Sequence, residues 1–596
     1  MKKKYFTLLF LLPVILLQAQ SWHTKVHESV FKDISEKNKS NIIIYLKLQA
    51  DLSGADILES KEEKGEFVFQ KLIQTATISQ GRIITYLQNK NTAFQNFWIV
   101  NCISLKADMP LIETLAGFDE VEKIVKNPTT HTALNDIEND NFKHLNLKSE
   151  ICLPPDTVVK SWGYARIKAD SVWAMGFRGQ GVVVGGEDTG IEWTHPALIK
   201  KYRGYNNGGI PIHDYNWHDA IHPDTTKNPC GYDTQAPCDD NNHGSHTMGS
   251  MVGGTIGINK DTIIIGVAPD AQWVGARNMD QGNGTLASYV ECFQFFLAPT
   301  NLKNQLPDPK KAPHVVNNSW YCAVSEGCNA SNFNVLENAM NALRSSGVVV
   351  VVSNGNEGRQ GCASTNGPPA FFKKAFSVGA TAITDTIADF SSRGAVTIDG
   401  SNRLKPNVSA PGVGILSSIK GSNYAIFSGT SMAGPHIVGV VALMISANPK
   451  LAGQVDTIES IIEATTLQLK TNENCGGLSG QNIPNNTYGY GRVDALAAVK
   501  KAILYKTTAV QEIKPASVNV FPNPFTNEIN IKTENILGDA TVQIFNATGQ
   551  LMFSQKNNFT LQPLFSVLLP KAASGLYFYR IENEKSSLTG KIIKSY

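Results

Sequence analysis

Between about residue 160 and residue 505 the chain returns repeatedly to a short, unbroken apolar run ended by Gly, Asn or Ser. GVVVGG (181–186), HVVNNS (314–319), GVVVVVSN (347–354) and FSVGAT (376–381) are four of these runs. A strand with one face in water alternates apolar and polar residues. An unbroken run belongs instead to a strand covered on both faces, as in a parallel sheet. Helical segments separate the runs, among them NFNVLENAMNALRSS (332–346) and AGPHIVGVVALMISANP (433–449). Strands alternating with helices predict a doubly wound α/β domain, whose chemistry gathers at the carboxyl ends of the strands.

The chain has 596 residues, too long for one such domain at about 150 residues each. The segment from 20 to 155 is polar and rich in Lys and Glu. It has helical stretches around 61–90, a strand-like FWIVNCISLKA (97–107) and then PLIETLAGFDEVEKIV (110–125). That order suits a small α/β unit, and the aperiodic stretch 128–160 reads as its linker. The tail, 516–596, alternates apolar and polar residues between turn signals and predicts a small all-β sandwich, joined through 506–515.

The N-terminus, MKKKYFTLLFLLPVILLQAQ, puts three lysines before an apolar run. The run is shorter than the ~20 residues a membrane span needs and Pro13 interrupts it, so 1–19 reads as an export signal cleaved near Ala19. The net charge is +2 with no run of like charges, so neither nucleic acid nor an anionic membrane is an expected partner. A monomer is expected. Export permits disulfides, and Cys230/Cys238 and Cys322/Cys328 each bracket a short loop. Pairing would contribute roughly 2–3 kcal/mol each, and free buried thiols are the alternative.

Three loops carry the chemistry. GVVVGGEDTGIEWTHP offers Asp188 just after a buried strand, NNHGSHTMGS offers His243 at a helix start, and FSGTSMAGPHIVG offers Ser431 at another, with Pro435 expected in the first helical turn. A serine hydroxyl is a poor nucleophile until a base takes its proton, and the base needs a buried carboxylate to fix its tautomer. A helix N-terminus adds free N–H groups and a favourable dipole where an oxyanion would form. His246, one turn beyond His243, reads as a buried structural residue and His436 likewise. Asp239 and Asp240 read as part of a solvated loop. A metal site there would need a further ligand and would leave Ser431 unexplained.

The order Asp, His, Ser is that of subtilisin, not of chymotrypsin or the α/β-hydrolases. The three motifs resemble those of the subtilisin-like serine proteases over most of 160–500. GVAPDAQWVGAR (266–277), KPNVSAPG (405–412) and SVGATAITDTIADFSSRG (377–394) match as well, and SWGYARIKADSVWAMGFRGQGVVVG looks like the bacillopeptidase F branch. The resemblance implies that Asp188 orients the base, His243 is the base and Ser431 the nucleophile. It also implies that Asn356 of SNGNEGR is the oxyanion donor, a group whose loss in a subtilisin costs roughly 10²–10³ in rate. Segment 20–155 resembles the family's propeptide, which assists folding and inhibits the site. Ser319, Trp320 and Tyr321 fall where the family binds peptide as an added strand.

Two positions depart from the family. Glu187 stands where an apolar residue usually closes the strand, and its buried charge requires a partner. Tyr321 stands where glycine is usual, beside the pocket for the substrate side chain. No cofactor is required by the resemblance; structural calcium is left open, because the calcium loop of some subtilisins has no clear match before GVAPD. The implied activity is that of a secreted endopeptidase acting on proteins or peptides. The alternatives are a non-catalytic surface or adhesion protein on the same fold, and a serine esterase, which the motif order disfavours. VNVFPNPFTNEINI, ATGQLMF, GLYFYRI and KIIKSY in the tail resemble the C-terminal sorting domain of the type IX secretion system of Bacteroidetes. That would make the outer-membrane secretion machinery a partner and the route one through the periplasm.

Overall fold

Seven strands join in one parallel sheet. In the computed structural model, which describes residues 22–131, 159–223, 227–254, 263–505, 517–534, 538–559, 564–583 and 587–595, the chain divides into two units, Met1–Tyr505 and Lys506–Tyr596. The signal segment, most of the 128–160 linker and the 506–515 linker lie outside the described residues.

The first part of the larger unit is a four-stranded antiparallel sheet of β1 (Ser40–Leu46), β2 (Phe94–Phe97), β3 (Cys102–Ala107) and β4 (Val121–Lys126), ordered β2-β3-β1-β4. Helix α1 (Lys61–Asn89) starts at a capping box in which Ser60 and Glu63 each satisfy the other's backbone N–H. The single strand expected over 97–107 is in fact a hairpin, β2 and β3, turning at Trp98–Asn101. The stretch expected to be a linker opens with a strand, β5 (Thr129–His131).

The central sheet contains β6 (Val183–Asp188), β7 (Trp217–Asp219), β8 (Gln272–Arg277), β10 (Val315–Asn318), β11 (Val349–Ser353), β12 (Phe376–Thr381) and β13 (Val408–Pro411). Its order is β13-β12-β11-β10-β6-β8-β7, every pair parallel. Outside it, β9 (Asn283–Thr285) pairs with β5. Side chains alternate along a strand. Val349 and Val351 therefore enter one core with Met248 and Ile437, while Val350 and Val352 enter the other with Phe293 and Leu336. Both faces are dry, which is why these runs are unbroken. Each such valine contributes roughly 1.5–3 kcal/mol before entropy.

Helices α2 (His243–Val252) and α5 (Thr430–Ala447) cover the first face, and α3 (Leu286–Leu297) and α4 (Phe333–Ser345) the second. Helix α5 is long and apolar enough to cross a bilayer, yet it is buried from Thr430 to Ile445 as the core helix of this domain. It also corrects one expectation. Since α5 begins at Thr430, Pro435 lies beyond the first turn. Its missing N–H would have bonded the Ser431 carbonyl, which accepts from Ser319 Oγ at 3.1 Å instead.

The two expected local disulfides, Cys230–Cys238 and Cys322–Cys328, are present, so their thiols are not free. A third, Cys362–Cys475, joins residues 113 positions apart. The smaller unit stacks a three-stranded and a four-stranded antiparallel sheet around Phe525, Ile531, Val542, Ile544, Val567 and Ile581.

Candidate active site

Asp188 ends β6 at the carboxyl edge of the sheet and is buried. Its Oδ1 accepts from the Thr189 amide at 2.8 Å and meets His243 Nδ1 at 2.7 Å. Thr247 Oγ1, one turn along α2 from His243, donates to Asp188 Oδ2 at 3.4 Å. The carboxylate therefore requires a proton on Nδ1, which leaves Nε2 as the basic nitrogen. The approach of the two elements depends on glycines. A Cβ at Gly190 would sit 1.8 Å from the Cys238 carbonyl oxygen, and one at Gly244 would sit 2.0 Å from that of Gly190. The Asp-Thr-Gly and His-Gly pairs are thus a packing requirement.

Asp239 and Asp240 are not solvated; both are buried. Asp239 anchors the start of α2, accepting from the amides of Asn241, Asn242 and Ser245, each at 2.9 Å, and from Thr189 Oγ1. A carboxylate at a helix N-terminus satisfies orphan donors and suits the dipole. Asp240 faces Asn228 Nδ2 at 2.6 Å and Arg277 Nη1 at 3.5 Å, and burial pushes its pKa up to about 6. Both residues position the loop that carries His243.

His246 is fully buried and its ring lies on Phe427 with centroids 4.3 Å apart. Nε2 reaches the carbonyls of Ile415 and Ala425 at 3.0 and 3.2 Å, so the ring is a neutral donor, and burial pushes its pKa down to about 3. His436 is likewise buried, bonded to the Met432 carbonyl at 2.8 Å, with its pKa lowered to about 4 by burial. Among the described residues no group of three or more His, Cys, Asp or Glu is arranged to hold a metal ion. Residues 255–262, just before the GVAPD turn, lie outside the description.

Ser431 occupies the first turn of α5, which packs against α2. Its Oγ donates to the Ser319 carbonyl at 3.3 Å, while Ser319 Oγ, itself held by Asn317 Nδ2 at 2.8 Å, donates back to the Ser431 carbonyl. Asn356 Oδ1 accepts from both the backbone N–H and the hydroxyl of Thr430, at 3.0 and 2.9 Å. Two donors on one oxygen fix the orientation of the amide and turn its N–H groups away from Thr430. So the structure joins Asp188 to His243, and Ser431 to Ser319 and, through Thr430, to Asn356.

The partner Glu187 required is Trp320, whose Nε1 donates to Oε1 at 3.1 Å. Among the described residues no salt bridge reaches this carboxyl. Burial, the largest cause, raises its pKa well above the ordinary carboxylate range and favours the neutral acid. Tyr321, the other departure, bonds through its hydroxyl to Glu357 Oε1 at 3.1 Å.

Residues 179–491 match the model of the subtilase family, and residues 519–595 match that of a secretion system C-terminal sorting domain. The chain is similar to Bacillopeptidase F of Bacillus subtilis (strain 168), 33% identical over 511 residues, which is 81% of this chain and 33% of that protein. It is similar to the thermophilic serine proteinase of Bacillus sp. (strain AK1), 32% identical over 299 residues, 49% of this chain and 60% of that one. Subtilisin E of Bacillus subtilis (strain 168) is 28% identical over 329 residues, 55% of this chain and 69% of that one. The chain thus spans a third of the length of the first relative and less than two thirds of the second. The family model covers more than half of the 596 residues, with the Asp188, His243 and Ser431 motifs inside it, and the chain belongs to the subtilase family.

Proposed function

We propose that the protein is a secreted serine endopeptidase, made as a precursor, that cleaves peptide bonds through an acyl-enzyme on Ser431. The 2.7 Å contact between Asp188 and His243 Nδ1 carries the reading. His243 Nε2 takes the proton from Ser431 Oγ as that oxygen attacks the substrate carbonyl. The oxyanion receives the Asn356 amide N–H and the Ser431 backbone N–H in the first turn of α5. His243 then passes the proton to the leaving amine, and a water activated by the same nitrogen releases the acyl group. Asp188 stays ionised throughout and holds the imidazolium. A non-catalytic surface protein on this fold would have no use for an amide fixed by two Thr430 bonds. Labelling by a fluorophosphonate and digestion of casein, both lost in Ser431→Ala, test the reading; a purified Ser431→Ala protein with full caseinolysis would refute it.

Residues 20–155 fit the role of propeptide. The pairing of β5 with β9, antiparallel from Thr129↔Thr285 to His131↔Asn283, supports a chain that enters the cleft as an added strand. Gln294 Oε1 accepting from the amides of Trp98 and Ile99, and Lys61 Nζ donating to the Ala312 carbonyl, support tight docking on the second face of the domain. Self-cleavage is then expected within 128–160, downstream of His131, leaving 156–505 as the catalytic domain. The tail, 516–596, would address the chain to the type IX machinery after its Sec-type signal has delivered it to the periplasm.

A further inference from the structure

The segment Ser319–Tyr321 leaves the carboxyl end of β10. Ser319 and Asn356 both bond to the Thr430–Ser431 turn, from the ends of adjacent strands. A carbonyl held between Ser431 Oγ and the Asn356 amide must therefore drop the side chain of its own residue into the gap between these two strand ends. Glu357 follows Asn356 directly, and Tyr321 lies two residues beyond Ser319. The Tyr321 hydroxyl spans the gap to Glu357 Oε1 at 3.1 Å. Gly367 forms its floor: a Cβ placed there would lie 2.9 Å from Tyr321 Cδ2, so the phenol ring rests directly on the glycine.

The ring cannot leave by movement of its loop. The Cys322 amide donates to the Pro368 carbonyl at 2.9 Å, pinning the segment to the strip that carries Gly367, and the buried Cys322–Cys328 disulfide closes the loop behind it. Both oxygens of Glu357 are already bonded, Oε1 by Tyr321 and Oε2 by Gln360 Nε2, so a substrate ammonium would have to displace one of these partners. We propose that Tyr321 fills the pocket for the residue on the acyl side of the scissile bond, so that the enzyme cleaves after Gly, Ala or Ser and rejects aromatic and long basic residues. This inference rests on the peptidase reading and names its substrate class.

The test compares kcat/KM of the processed wild type, Tyr321→Gly and Tyr321→Phe on succinyl-Ala-Ala-Pro-X p-nitroanilides with X = Ala, Phe and Lys. One methylene misfit in an apolar pocket is worth roughly 10–200-fold, so the wild type should favour Ala over Phe by at least about 10-fold. Tyr321→Gly should shift that ratio toward Phe by roughly 100-fold, whereas Tyr321→Phe, which keeps the ring, should retain the preference for Ala. A wild type that cleaves after Phe or Lys as readily as after Ala overturns the proposal. So does a Tyr321→Gly enzyme with an unchanged ratio. If that variant does not fold, mass spectrometry of wild-type casein digests decides: cuts after small residues support the proposal and cuts after large ones overturn it. Wild type that labels with a fluorophosphonate but cuts without regard to residue size overturns this inference alone. A chain that neither labels nor cuts overturns the peptidase reading and this inference with it.

Discussion

The indole of Trp320 donates to Glu187 Oε1, tying the substrate-side wall of the cleft to the strand that ends in Asp188. The same indole stacks on Tyr289 with ring centroids 3.7 Å apart, and the Tyr289 hydroxyl meets Thr130 Oγ1 of β5 at 2.5 Å. A carboxyl buried beneath the site thus belongs to a chain of contacts that reaches the strand lying against β9.

Because burial raises the folded-state pKa of Glu187 above its unfolded value near 4.3, the folded state holds the extra proton between the two values. Stability due to this group is complete below the unfolded value and is lost as pH rises toward the folded one. Glu187→Gln keeps the acceptor for Trp320 without the titration. In a Ser431→Ala background its stability relative to the parent should improve above pH 4.3 by about 1.4 kcal/mol per pH unit, until the folded pKa is passed. Glu187→Leu should instead cost about 1–3 kcal/mol by orphaning the indole N–H. Urea unfolding from pH 4 to pH 8 checks both.

His246 has the opposite sign. Its folded pKa of about 3 lies below the unfolded value near 6.5, so the unfolded state binds the extra proton between these limits. The wild type should lose stability from this residue as pH falls below about 6.5, by up to 1.4 kcal/mol per unit. His246→Gln can still donate to the Ile415 and Ala425 carbonyls but does not titrate. Its deficit at pH 7.5 should shrink at pH 5; a deficit constant across that range would contradict the buried neutral assignment.

The Cys362–Cys475 bridge closes a loop more than ten times longer than that of Cys230–Cys238, with separations of 113 and 8 residues. In the chain-entropy account a loop of about 100 residues is worth up to about 4.7 kcal/mol. Replacing both cysteines by serine should lower the midpoint of thermal unfolding more than the same change at Cys230 and Cys238. Cys362 lies six residues after Asn356, so kcat should fall along with stability.

Asp188→Asn should preserve the fold and lower kcat by roughly 10⁴, because an amide does not demand the Nδ1–H tautomer of His243. The precursor of this variant should also process slowly. Purified Asp188→Asn or Ser431→Ala precursor maturing at the wild-type rate would show that cleavage within 128–160 is carried out by another protease.

Deleting 516–596 should leave active enzyme in the periplasm, with the catalytic unit's unfolding midpoint little changed, because the tail is a unit with its own core. Wild-type levels of truncated protein in the medium, or tight binding of a polysaccharide by the isolated tail, would refute the sorting role.

What the sequence determined by itself was local. Unbroken valine runs announce strands buried on both faces, and β6, β10, β11 and β12 lie where those runs are. Small residues around Asp188 and His243 announce a close approach, and the clash distances at Gly190 and Gly244 give the reason. Local disulfides were legible because eight residues of chain leave few other partners. Tertiary structure decided the remainder. It brought Trp320 to Glu187 across 133 positions and Cys475 to Cys362, buried Asp239 and Asp240 in a loop that reads as polar, and gave Ser319 the carbonyl that Pro435 leaves open. A residue pattern encodes how much of a segment is covered and how its backbone must bend. It does not encode which distant group supplies the hydrogen bond, since many side chains could donate to a buried carboxyl and only the packed fold selects one.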